Sequence, residues 1–137
     1  MRQVVIDTNI IVSSALSEKG KPAEIMNLCF SGVLQVFYNA EIFDEYKRVL
    51  SYRRLNIAIE IQVGIINAIA EVGTLINTIA STMPLPDEAD RVFYDTARAS
   101  GAILITGNIK HFPARSFIMT PAAYLEKMSM SGRIRST

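Results

Sequence analysis

The feature that most constrains this chain is a short apolar run, Val4-Val5-Ile6, that ends on a carboxylate, Asp7. A strand that is apolar at every position has no face to turn to water, so both faces must be covered, as in parallel sheets. Further strand candidates lie at Val33–Tyr38, Thr74–Ile79, Ala102–Ile105 and Phe117–Met119. Between them run segments with helical spacing. A first helix is expected from about Asn9 to Leu16, and a second opens at Pro22, which suits a first helical turn, and stops near Gly32. Asn39 is a good N-cap for a helix from about Ala40 to Tyr52, where Ile42, Phe43, Tyr46, Val49 and Leu50 share one face. Helices are also predicted from about Asn56 to Val72, from Asp87 to Ser100 and from Pro121 to Met128.

Strands alternating with helices at these lengths specify an α/β sandwich around a parallel sheet. The chain has no repeat and no linker, so a single domain is expected over residues 1–128, followed by a flexible, polar and basic tail at 129–137. The lone Cys29 excludes an internal disulfide and a cysteine-rich zinc site, and its apolar neighbours mark it as a core thiol. No secretion signal is visible and no apolar stretch approaches the ~20 residues that span a bilayer, so a cytoplasmic protein without a membrane partner is expected. A net charge of +1 argues against a uniformly basic nucleic-acid clamp. Local basic residues such as Lys47, Arg48, Arg53 and Arg54 still allow RNA to be steered.

The chain carries 13 acids, and helical geometry ranks them. After Pro86, the residues Ala89, Val92, Phe93, Thr96 and Ala97 define a core face. Asp90 lies roughly 90° from its centre, Glu88 roughly 110°, Asp95 roughly 130° and Asp87 roughly 150°. Asp90 is therefore the acid best placed to enter a cleft beside the core, while Asp87 makes a good N-cap. On the Ala40–Tyr52 helix Glu45 stands nearest the core edge, at roughly 110°. A flank acid of this kind is ordinarily solvated. Asp7 and Asn108 follow apolar strands, and ligands of open parallel sheets bind beyond such strand ends. Asp7-Thr8-Asn9 also caps helices well, so geometry alone leaves both readings of Asp7 open.

VVIDTNIIVSSAL, the acid in FDEYKRVL, and DEADRVFYDTARASGAILITGN together resemble the PIN-domain family over nearly the whole chain. The resemblance is strongest to toxin components of bacterial toxin–antitoxin pairs, in which TGN followed by KHF is familiar. It implies a three-layer α/β/α sandwich with a central, mostly parallel sheet of four to five strands. It also implies a metal-dependent endoribonuclease cleaving single-stranded RNA, with a cognate antitoxin as partner and a homodimer as the assembly. Carried over residue by residue, the family's acids fall on Asp7, Glu45 and Asp90, which would bind Mg2+ or Mn2+. Its Thr-Gly-Asp turn falls on Thr106, Gly107 and Asn108. Asn108 thus stands where a fourth carboxylate is commoner: an amide oxygen can orient a metal water but carries no charge. Thr8, Asn9 and Thr106 are the implied substrate-binding companions.

Two other readings compete. An aspartyl-nucleophile phosphatase also places an Asp after its first strand, but wants a second two residues later, where this chain has Asn9. A PIN-like module that binds RNA or an antitoxin with weak catalysis is the alternative that Asn108 keeps open.

Overall fold

The structure is a computed structural model, and it describes residues 2–135. Its five strands are β1 (Arg2–Ile6), β2 (Leu34–Tyr38), β3 (Thr74–Leu75), β4 (Ile103–Ile105) and β5 (Ile118–Met119). They form one sheet in the order β3-β2-β1-β4-β5. Every pairing is parallel, with Val4 beside Val36 on one side and Ile103 on the other. The run without a polar residue is therefore the central strand, and Val4, Val5 and Ile6 are wholly buried.

Six α-helices complete the described residues: α1 (Thr8–Leu16), α2 (Lys21–Phe30), α3 (Ala40–Leu50), α4 (Ile59–Val72), α5 (Arg91–Ser100) and α6 (Pro121–Arg135). From β1 the chain steps outward through β2 to β3, then crosses back to β4. Right-handed crossovers in opposite directions put their helices on opposite faces. Accordingly α5 packs on β1, β2 and β4, whereas α2 packs on β2 with α1, α4 and α6 beside it. This is an α/β/α sandwich. The stripe expected on α3 supplies much of its core, since Ile42, Tyr46 and Leu50 are fully buried, each contributing roughly 1.5–3 kcal/mol through its apolar surface. The Tyr46 hydroxyl donates to the Ile6 carbonyl at the end of β1, which satisfies the one polar atom it carries inward. Cys29 is buried too, and burial pushes its thiol up to about 12, so it stays a protonated core side chain.

Several boundaries move for local reasons. Asn39 caps α3 as expected, accepting from the Ile42 amide at 2.8 Å. The next helix starts at Ile59, not near Asn56, because Asn56 adopts a left-handed conformation (φ 51°) that closes a 3-10 turn at Arg53–Leu55. On α4 only Ile69 is buried, and Ile61, expected on the core face, is 46% exposed. Gly73 ends α4 where no side chain fits: a Cβ there would lie 2.6 Å from the Tyr38 ring and 2.7 Å from the Ile69 carbonyl. The third strand spans only Thr74–Leu75, since after Ile76 bonds the Tyr38 carbonyl the chain leaves the sheet edge. Residues 77–86 then strap across α5. The helix expected to end near Met128 keeps its backbone turns through Arg135. Ser129, Ser131 and Gly132 each weaken a helix by less than about 1 kcal/mol, and no proline interrupts it. Of the tail expected at 129–137, residues 136–137 lie outside the described residues.

Candidate active site

The order of the strands determines where a site can form. The direction in which successive strands are added to the sheet reverses between β1 and β4, and ligands of doubly wound sheets bind in the crevice at the carboxyl ends of such a pair. Asp7 follows β1 and Thr106 follows β4, so these two residues flank that crevice. The Asp7 amide donates to the Ile105 carbonyl at 3.0 Å, extending the ladder by one bond and setting the carboxylate at the mouth. Asp7 is nonetheless buried, at 6% exposure, so its oxygens need partners.

Those partners come from both sides of the crevice. Asp7 Oδ2 accepts from the Thr106 hydroxyl at 2.7 Å and from Asn9 Nδ2 at 3.2 Å. Thr106 Oγ1 in turn accepts from the Asn108 amide, while Asn9 Oδ1 accepts from the Gly107 amide, both at 2.9 Å. Asn9 and Thr106 thus tie the turn after β4 to the turn after β1. A Cβ on Gly107 would sit 3.3 Å from Asn9 Oδ1, so glycine keeps that approach open. Asp7 begins α1, yet its side chain makes no capping bond; the carboxylate is turned to the crevice and not to the helix.

The other two acids reach the same space. Glu45 comes from α3, where the Thr8 hydroxyl donates to its Oε2 and Arg48 lies 3.8 Å from its Oε1. Asp90 opens α5 without capping it, while Asp87 caps the 3-10 turn before it, Glu88–Asp90, accepting from the Ala89 amide at 2.9 Å. Among the described residues Asp90 Oδ2 is buried without a hydrogen-bond partner. His111 Nδ1 stands 3.7 Å from it, on a half-exposed side chain. Burial, then the charges of Asp7 and Asp87, push the Asp90 carboxyl up to about 6, with His111 opposing them and Glu45 adding to the rise. Asp7 is raised as well, by burial first and by Glu45 among the charges, against hydrogen bonds from Thr106, Thr8 and Asn9 that lower it. The charges act on one another: Asp7 and Glu45 both raise Asp90, and Glu45 raises Asp7.

Asp7, Glu45, Asp90, Thr8, Asn9 and Thr106 therefore gather as one group. Asn108 is different. Its backbone belongs to the network, but its side chain is exposed, makes no hydrogen bond among the described residues, and lines a separate groove with Asn9, Ser13, Lys21 and Thr120. Among the described residues no three acid, histidine or cysteine side chains are arranged as a ready metal cage. The donor set still fits a hard cation. It is made of carboxylate oxygens, suited to Mg2+ or Mn2+, and one of them is buried with nothing to accept from.

Asp95 was not legible from helical angles. Placed roughly 130° from the core face of its helix, it is 5% exposed, because the strap covers it and the Ser81 amide donates to its Oδ2 at 2.8 Å. Arg91 donates to Glu88 and to the carbonyls of Ser81 and Met83, pinning the strap. The only sequence signal for this was a proline-flanked loop too long to be a tight turn.

No helix among the described residues is long and apolar enough to cross a membrane. A family model for the PIN domain matches residues 3–110, a span that holds Asp7, Glu45, Asp90 and Asn108. A Methanocaldococcus jannaschii protein, named uncharacterized protein MJ1680, is 30% identical over 109 residues, which cover 77% of this chain and 70% of that one. PIN domains are generally nucleases, and the crevice acids lie inside the matched span. With an all-parallel sheet in the order 3-2-1-4-5 and this match over most of its length, the chain belongs to the PIN-domain family.

Proposed function

We propose that the protein is a metal-dependent endoribonuclease of single-stranded RNA and the toxin of a toxin–antitoxin pair. The observation that carries the nuclease reading is the unpartnered, buried Asp90 Oδ2 beside two further carboxylates at the sheet's switch point. Clustered like charges of this kind are costly alone and become useful around a cation. Asp7, Glu45 and Asp90 would hold Mg2+ or Mn2+, which lowers the pKa of a bound water and screens the phosphodiester.

The chain's own residues then have separate tasks. Thr106 and Asn9 keep Asp7 oriented, and Thr8 does the same for Glu45, so both carboxylates are positioned before substrate arrives. His111 is placed to contact a phosphate or the Asp90 carboxylate from the solvent side. Asn108, on the groove beside Asn9, offers an amide to the strand that runs past the acids.

The test is cleavage of single-stranded RNA by pure protein. Activity should need Mg2+ or Mn2+, vanish with EDTA, and be lost in Asp90→Asn; cutting that survives Asp90→Asn would remove the site assignment. Asn108→Asp should tighten metal binding if the fourth position contributes.

The exposed side chain of Asn108 favours the second reading, a module that binds RNA or an antitoxin with weak catalysis. RNA binding without cleavage under any divalent metal would select it. The apolar surface of Ile59, Ile61 and Val63 on α4 suits an antitoxin or a second copy of this chain. Light scattering of the pure protein, alone and with the product of any adjacent gene, tests both partners.

A further inference from the structure

Beside the acids a polar cavity of about 380 Å³ opens between α3, the strap and α5. Asn39, Glu41, Glu45, Arg48, Thr78 and Asp95 line it, so it shares Glu45 with the crevice. Its volume lies at the low end of ligand sites, ~300–1,000 Å³, and suits one nucleotide unit. Two features make it more than a gap. Asp95 is 5% exposed and its Oδ1 has no hydrogen-bond partner, although Oδ2 is held by the Ser81 amide. Arg91, which could neutralise the wall, has its donors taken by Glu88, Ser81 and Met83. The wall therefore accepts hydrogen bonds and presents one guanidinium with donors to spare, Arg48, whose side chain is 61% exposed.

We propose that this cavity receives a guanine base of the RNA strand and sets where the strand is cut, an inference that rests on the nuclease reading above. A carboxylate wall disfavours phosphate and favours a base edge that donates. Guanine alone among the four bases presents two adjacent donors, N1–H and N2–H, next to an acceptor, O6. Asp95 accepts from the donor edge, and Arg48 donates to O6 or N7. Cytosine and adenine set an acceptor beside their amino group, and uracil flanks its one donor with two carbonyls. Each meets the wall with one group mismatched.

Two readouts separate this proposal from the nuclease reading. Full-length protein is titrated with GMP, AMP, CMP and UMP in EDTA, and cleavage sites are mapped on random single-stranded RNA with Mn2+. GMP should bind at least tenfold tighter than the others, and guanine should occupy one constant position relative to the cut. Asp95→Asn, which keeps an acceptor for Ser81 and turns the other oxygen into a donor, should reduce the GMP preference roughly tenfold to a hundredfold. If that variant does not fold, Arg48→Ala carries the test, with the same loss of preference. Equal binding of the four nucleotides, or cuts with no guanine bias, overturns the pocket and leaves the nuclease intact. Selective GMP binding by a protein that cuts nothing overturns the nuclease and leaves the pocket.

Discussion

The crevice between β1 and β4 and the first turn of α5 present carboxylates to the same space, but hold them in opposite ways. Asp7 sits in a closed network of Thr106, Asn9, Gly107 and Asn108, in which each partner is itself bonded. Asp90 has a buried oxygen bonded to nothing and a half-exposed histidine at 3.7 Å. The difference separates a part of the site that the protein satisfies by itself from a part that it leaves unsatisfied. A closed network lowers the cost of a buried charge within the protein itself. An open one leaves that cost, about 1–3 kcal/mol for an unsatisfied buried group, to be relieved by whatever binds.

The comparison breaks first on activity. Asp7→Asn and Asp90→Asn should each reduce RNA cleavage by at least about a hundredfold, measured under single turnover with Mn2+. A large loss at Asp7 with none at Asp90 would show that the open position is not part of the chemistry. Stability gives the next contrast. Thr106→Val removes the hydroxyl that serves both Asp7 and the Asn108 amide, and should cost about 2 kcal/mol in urea unfolding. His111→Ala at the open position should cost less than about 0.5 kcal/mol, as its contact with Asp90 is long and half-exposed. Equal costs would mean that the two regions are not held differently at all.

The smallest effect sharpens the contrast through pH. Burial and the neighbouring Asp7 raise the Asp90 carboxyl from 3.8 to about 6. Between those values the unfolded chain releases this proton and the folded chain keeps it, so stability falls as pH rises through the window. The full cost is present above pH 6. In EDTA, Asp90→Asn should therefore match the parent near pH 4 and exceed it by about 1 kcal/mol at pH 7, after allowing for solvent screening. A variant less stable at pH 7 would show that Asp90 is satisfied in a way the open position does not suggest.

The legible part of the molecule was the part governed by neighbours in sequence. The Asn39 cap, Pro22 in the first turn of α2 and the stripe Ile42, Tyr46, Leu50 depend on residues within a few positions of one another. Asp90, ranked as the inward acid of its helix, is partly buried, whereas Asp95, ranked further out, is buried more deeply. Asp95 was misjudged by the same arithmetic, since a helix angle knows nothing of a strap laid over it from residues 77–86. On α4 apolar residues surround the helix, so periodicity could not tell that Ile69 alone is buried while Ile61 is exposed.

By itself, then, the sequence determined the alternation of strand and helix, the burial of Val4–Ile6 on both faces and the position of Asp7 just past that strand. Those properties follow from hydrophobic period and backbone capping, which act over a turn or a strand. Only the tertiary structure decided what Asp7 meets. Its bond to Thr106 spans 99 residues and the Thr8–Glu45 bond spans 37. Such contacts exist because β1 pairs with β4 in one register and α3 packs behind β1. A shift of one residue in that register would turn the side chains to the other face, and the site with them.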